Sequence, residues 1–241
     1  MLATGTASVA SSESPLQKAY GMNVTEAVDR RVSVRAFQDR PVPGALVREI
    51  LVAAQRAPSG GNLQPWRVHA LTGAPLEALK AKVAANLGGE PPEYAVYPEN
   101  LWDPFRTRRF ECGEDLYATL GIPRDDKPAR LQQLFKNTQL FGAPVGLFFS
   151  LDRNLGPPQW SDVGMYMQTV MLLAVERGLD TCAQEYWARY PQTLARLLNL
   201  PEDHMVFSGM ALGWRDESAP INSLRSARDP FETWAELRGF D

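Results

Sequence analysis

The chain has few groups with which to coordinate a metal or cross-link itself. Its 241 residues include two cysteines, Cys112 and Cys182, and two histidines, His69 and His204. No CxxC pair occurs, so neither a zinc cluster nor a disulfide framework is expected, and a reducing, cytoplasmic compartment is the simpler reading. Long apolar runs are also missing: the longest, 163–175, is interrupted by Gln168 and Thr169 and falls short of the roughly 20 residues of a membrane span. Residues 1–14 are mostly Ala, Ser, Thr and Gly, without the basic flank or apolar stretch of a signal peptide. A net charge of −3 offers no broad basic face for a nucleic-acid backbone. There is no P-loop, no dinucleotide fingerprint and no internal repeat. What remains is a soluble chain, 44% apolar and 22% charged, long enough for a well-buried core. We expect a flexible tail over 1–22 and one domain over 23–241.

Asn23 followed three residues later by Glu26 predicts a capped helix that runs to Arg31. Apolar residues at helical spacing predict a second helix over 43–57, stopped by Pro58. An extended segment follows at 66–71 and a helix at 75–87. Residues 88–105 are rich in Gly, Pro and aromatics, the composition of a lid or binding loop. Helices are expected at 106–120, 124–136, 162–177 and 191–198, and extended segments at 145–151, 180–186 and 205–212. A last helix is expected after Pro230. The 162–177 helix is apolar nearly all the way round, which requires burial on more than one side, at a domain centre or an oligomer interface. Strands interleaved with more numerous helices indicate an α+β layered domain.

Two stretches carry most of the chemistry. In Arg31-Val32-Ser33-Val34-Arg35, alternation can aim two guanidinium groups and a hydroxyl at one anion. Pro58-Ser59-Gly60-Gly61-Asn62-Leu63-Gln64 is a loop whose backbone and amide groups can approach a flat polar ligand closely. Near the other end of the chain, Arg225 and Arg228 form a second basic pair. Either cluster read alone is equally a solvated face.

Taken in order, these motifs, together with Gly178-Leu179-Asp180-Thr181-Cys182, the Gly209-to-Trp214 segment and Arg228 with Pro230, resemble the FMN-dependent nitroreductase family from about Asn23 onward. The family pattern is Arg-Arg-Ser-x-Arg, whereas Val32 stands at the second position here, so any ligand contact there is by backbone or methyl groups. The resemblance implies an α+β fold with a central mixed sheet flanked by helices, in an intertwined homodimer holding FMN at the subunit interface. It further implies that Arg31, Ser33 and Arg228 hold the phosphate, with Arg225 nearby and Arg35 near the pyrimidine edge of the flavin. Pro58, Ser59, Gly60 and Asn62 would come from the partner subunit. Gln184, Glu185 and Tyr186 would run beside the central ring, where a backbone N–H can donate to N5. The implied activity is ping-pong transfer of hydride from NADH or NADPH, through FMN, to a small nitroaromatic or quinone-like acceptor. Alternatives are other flavin chemistry on the same scaffold (reductive dehalogenation, ene-reduction, flavin fragmentation) or a flavin-binding protein without catalysis.

Glu185 is equally a proton source or a structural carboxylate at this stage. Tyr94, Tyr97, Trp102 and Phe105 are candidates to stack on a planar substrate, although aromatic residues more often anchor cores. Cys182 reads as a buried structural thiol.

Overall fold

Helices cover both faces of a four-stranded sheet in the computed structural model, which describes residues 21–240. The helices are α1 (Val24–Arg30), α2 (Gly44–Ala54), α3 (Gly73–Ala84), α4 (Phe105–Thr119), α5 (Lys127–Phe135), α6 (Pro157–Glu176) and α7 (Pro191–Leu198). The strands are β1 (Arg67–Thr72), β2 (Val145–Asp152), β3 (Asp180–Gln184) and β4 (His204–Gly213), in the order β1-β2-β4-β3. Neighbouring strands pair antiparallel throughout. The parallel component of the mixed sheet is a single bridge, Ser33 to Thr181, outside the named strands.

The central strands β2 and β4 are buried almost from end to end, as strands with both faces covered must be. Successive side chains point to opposite faces. Leu147, Phe149 and Leu151 therefore meet Val47 and Ile50 of α2 and Val163, Tyr166 and Val170 of α6. Phe148 and Ala211 face the other way, against Leu76 and Leu79 of α3 and Leu194 of α7. The layering matches the α+β expectation.

Helix boundaries show where local signals competed. The Asn23 capping box forms as the sequence requires: Asn23 Oδ1 accepts from Glu26 N at 3.0 Å, and Glu26 Oε2 accepts from Asn23 N at 2.9 Å. Helix α6, in contrast, begins five residues before Asp162, at Pro157, since a proline fits the first turn where no N–H is needed. Asp162 is instead a buried residue of its second turn. The helix expected after Pro230 is only a short 3₁₀ turn, Phe231–Thr233. Trp234, Leu237 and Phe240 stay exposed, so no packed face rewards a longer helix. Of the tail expected over 1–22, residues 1–20 lie outside the described residues. Among the described residues no helix is long and apolar enough to cross a membrane.

Candidate functional site

Immediately after α1 the chain turns extended and runs along the open edge of β3. Val34 N donates to Thr181 O at 3.0 Å, and the Val34 side chain is fully buried. Burying Val34 turns its neighbours Ser33 and Arg35 to the opposite side, as the alternating pattern predicts. Asn222 then ties this segment to the C-terminal region. Its Oδ1 accepts from Arg35 N at 2.8 Å, and its Nδ2 donates to Ala36 O at 2.8 Å and Asp216 O at 2.9 Å. Arg225 adds a second link by donating to both Asp29 O and Asp29 Oδ1.

These ties bring the two ends of the described chain together around a cavity of about 520 Å³. Arg31, Val32, Ser33, Arg35, Arg225 and Arg228 all line it, so both basic clusters of the sequence share one site. Burial, and next the charge of Arg228, push the Arg31 pKa below its ordinary value. Among the described residues neither Arg31 nor Arg35 nor Arg228 forms an ion pair. Arg225 is paired with Asp29, but the guanidinium groups of Arg31, Arg35 and Arg228 have no carboxylate partner; such groups favour an anion, and a planar fork suits a phosphate best. A second cavity, of about 700 Å³, adjoins the first through Cys112, Ser226 and Arg228 and is walled by Arg108, Arg109 and Trp234. The site is therefore elongated.

Thr25, Asp29, Cys112 and Gln168 also line the first cavity, and sequence reasoning missed them. Gln168 had left a signal, as a polar residue interrupting an otherwise apolar helix. Asn222 left none, because an Asn after a Pro-containing turn is ordinary.

The 58–64 loop does not line that cavity in its own chain. Gly61 has φ 58° and the adjacent Asn62 also lies in the left-handed region, which glycine and asparagine tolerate. The loop is tied down by Gly60 N, which donates to Asp162 Oδ2 at 3.3 Å, and by Gln64 N, which donates to Ser59 Oγ at 3.0 Å. Pro58, Gly60 and Asn62 are exposed in the single chain.

At the end of β3, Gln184 is buried with its Nε2 donating to Asn137 O and Oδ1, both at 3.0 Å. Its side chain is thus turned inward, and its backbone is the part left to face a ligand. Ala183 and Glu185 alternate to the open side of this edge strand. Glu185 opens a 3₁₀ turn, Glu185–Arg189. Surrounding protein raises its carboxyl above the usual glutamate range, while an interaction with Tyr97 pulls the other way. Tyr186 sits under the guanidinium of Arg189, 4.9 Å from its ring centre.

The lid aromatics divide. Tyr94 packs against Trp160 and Phe207 and donates its hydroxyl to Phe207 O, so it anchors the lid and is not free to stack on a substrate. Tyr97, Trp102 and Phe105 are exposed. Cys182 is buried, and burial pushes its thiol pKa up, in keeping with a structural role. Among the described residues no group of three or more His, Cys, Asp or Glu side chains is arranged to hold a metal.

A model of the nitroreductase family matches residues 28–214. A nitrobenzene nitroreductase of Ectopseudomonas oleovorans is 42% identical over 209 residues, covering 85% of this chain and 91% of that protein. The crystal structure of an FMN and NADPH-dependent nitroreductase from Sphigopyxis sp. strain HMH is 49% identical, with a TM-score of 0.88 over 91% of this chain and 100% of that one. An FMN-dependent nitroreductase of Mycobacterium smegmatis, solved in complex with NADPH, is 28% identical with a TM-score of 0.83, covering 90% of this chain and 100% of that one.

Proposed function

The chain belongs to the nitroreductase family, and from that premise we propose that it is an FMN-dependent oxidoreductase. It takes hydride from NADPH or NADH and reduces small nitroaromatic or quinone-like acceptors in the cytoplasm. The observation that carries this reading is the convergence of Arg31, Arg35 and Arg228, none of them ion-paired, on one cavity. The donor set fits the phosphate of FMN: planar guanidinium forks and the Ser33 hydroxyl can all donate to its oxygens. When bound, FMN supplies a carrier of two electrons whose N5 accepts and releases hydride.

The chain's own residues do the remaining work. Arg31, Ser33, Arg225 and Arg228 neutralise and orient the phosphate. Arg35, whose backbone is fixed by Asn222, places a cation where negative charge collects on a reduced flavin, an electrostatic contribution that is already organised before reaction. The open side of β3 at Ala183 and Glu185 offers a flat floor, and the lid supplies aromatic surface above it. No side chain has to act as a nucleophile.

The active unit is a homodimer. Met165 on the outer face of α6 is exposed, although this helix is apolar on nearly every side, and a second copy would cover it. The same association delivers Pro58, Ser59, Gly60 and Asn62 to the partner's flavin, which explains a preorganised polar loop that does not line its own chain's cavity.

The test is spectroscopic. Purified protein reconstituted with FMN is expected to be yellow, to bleach anaerobically with NADPH or NADH, and to recover its colour with 4-nitrobenzoate or nitrobenzene. Failure to bind FMN in excess overturns the reading. Bound FMN that neither nucleotide bleaches leaves a flavin-binding protein without this activity.

A further inference from the structure

Helix α4 is divided at its single glycine. From Phe105 to Cys112 every residue is exposed, and the helix buries no residue along its whole length. Beyond Gly113 it is fastened to the neighbouring helix: Arg130 of α5 donates from Nη2 to Glu114 Oε2 at 3.0 Å, and its guanidinium lies over the Tyr117 ring, 4.2 Å from the ring centre. One half is free of the core and the other is anchored. Gly113 stands at the boundary, although a Cβ there would meet nothing within 4 Å and its φ is not in the left-handed region. Neither space nor backbone conformation calls for glycine at that point, and it loosens the helix where it sits.

The free half is joined to the C-terminal segment by an ion pair between Arg108 and Asp229. Among the described residues no other hydrogen bond or ion pair links 105–112 to that segment. The cavity of about 700 Å³ lies between the two walls, with Arg108 and Cys112 on one side and Ser226, Arg228 and Asp229 on the other. Cys112, Ser226 and Arg228 also line the phosphate cavity, so the space behind the ion pair adjoins the anion site. Asp229 follows directly on Arg228, and the near end of the same segment is held by Arg225 to Asp29 of α1. The wall that carries Arg228 is therefore strung between α1 and the free half of α4.

We propose that the first half of α4 is a gate over the FMN site, hinged at Gly113 and latched shut by Arg108 and Asp229. The inference rests on the flavin-dependent reading above. FMN enters and leaves past the second cavity when the latch parts, and the closed gate retains it between turnovers. Arg108 and Asp229 are positioning residues, which act by holding each other. Entry and exit both need the open form, so each rate scales with its population while the affinity stays nearly constant.

The experiment measures FMN exchange in the full-length protein: release of radiolabelled FMN from holoenzyme into excess unlabelled FMN, and uptake of labelled FMN by the apoprotein. Arg108→Met and Asp229→Ala change the local charge in opposite senses, which separates a latch from simple attraction for phosphate. Each is expected to speed both uptake and release by about fivefold, the upper end of what an exposed ion pair contributes. The double variant should be no faster than the faster single one, since the pair is already broken. Gly113→Ala stiffens the hinge and should slow both rates by roughly two- to fivefold. If Arg108→Met weakens FMN retention while Asp229→Ala strengthens it, local charge accounts for the effect and the latch is overturned. Faster release with unchanged uptake in both variants also overturns the gate, leaving a segment that merely presents Arg228. Unchanged rates in Gly113→Ala overturn the hinge. A wild-type protein that takes up no FMN removes the underlying reading instead.

Discussion

Gly209 on β4 is the position at which a single methyl group should do the most damage. A Cβ there would lie 2.4 Å from Trp187 Cδ1, 2.7 Å from Cγ and 3.1 Å from Cβ. Carbon atoms pack comfortably from about 3.5 Å, so the indole has to withdraw by roughly 1 Å. It has no room to do so. Trp187 is fully buried, with Phe148 edge-on at 5.0 Å and Tyr190 at 6.4 Å between ring centres. Overpacking a tight core costs about 1–3 kcal/mol, and a rigid bicyclic ring touched near its own backbone belongs at the upper end. A cost of about 3 kcal/mol lowers Tm by roughly 6–12 °C in a domain of this size. Glu185 and Tyr186 share the 3₁₀ turn with Trp187, so flavin retention should fall with stability. Differential scanning calorimetry of Gly209→Ala, with and without FMN, measures both effects. Gly113, inside α4, is the control: a Cβ there meets nothing within 4 Å, and Gly113→Ala should stabilise by about 0.5–1 kcal/mol. If Gly209→Ala unfolds no lower than the wild type, the account of how β4 seats the turn beside the site is wrong.

Arg31→Ala should weaken FMN binding by about 2 kcal/mol, the scale of one charge-assisted hydrogen bond, or roughly thirtyfold in Kd. The Tm of the FMN-free protein should not fall, because the change also relieves Arg31 of its repulsion with Arg228; fluorescence titration and calorimetry check the two halves. Arg215→Met strips Asp180, itself buried, of hydrogen bonds at 2.6 and 3.1 Å and should cost about 3 kcal/mol. Burial raises the Asp180 pKa while Arg215 lowers it, so in this variant the folded-state value climbs further above the unfolded one. Its stability should then fall as pH rises through that window and recover in acid, in urea titrations run across pH. Met165→Glu places a charge on the outer face of α6 and should shift the protein toward monomer in sedimentation velocity, with loss of bound FMN; an intact dimer would move the interface elsewhere.

What could be read from the sequence follows the range over which each signal acts. The Asn23–Glu26 capping box is complete within four residues, and it forms as expected. The alternation of Arg31, Ser33 and Arg35 depends only on a buried Val34 between them, and it too is realised. The start of α6 was misplaced because Asp162 reads locally as a cap, whereas its carboxylate is used across the fold to hold Gly60. The helix expected after Pro230 failed for a related reason: nothing in its own chain buries Trp234 or Leu237. Helicity in so short a segment needs a surface to pack on.

The anchoring of residues 88–97 lay beyond any such reading. No periodicity links this segment to the elements it touches: Glu90 accepts from the start of α7, while Glu93 and Tyr94 bond to neighbouring residues of β4. The two basic clusters are different: like charges near opposite ends of a chain gain nothing by meeting unless an anion joins them, so their pairing can be reasoned from chemistry alone.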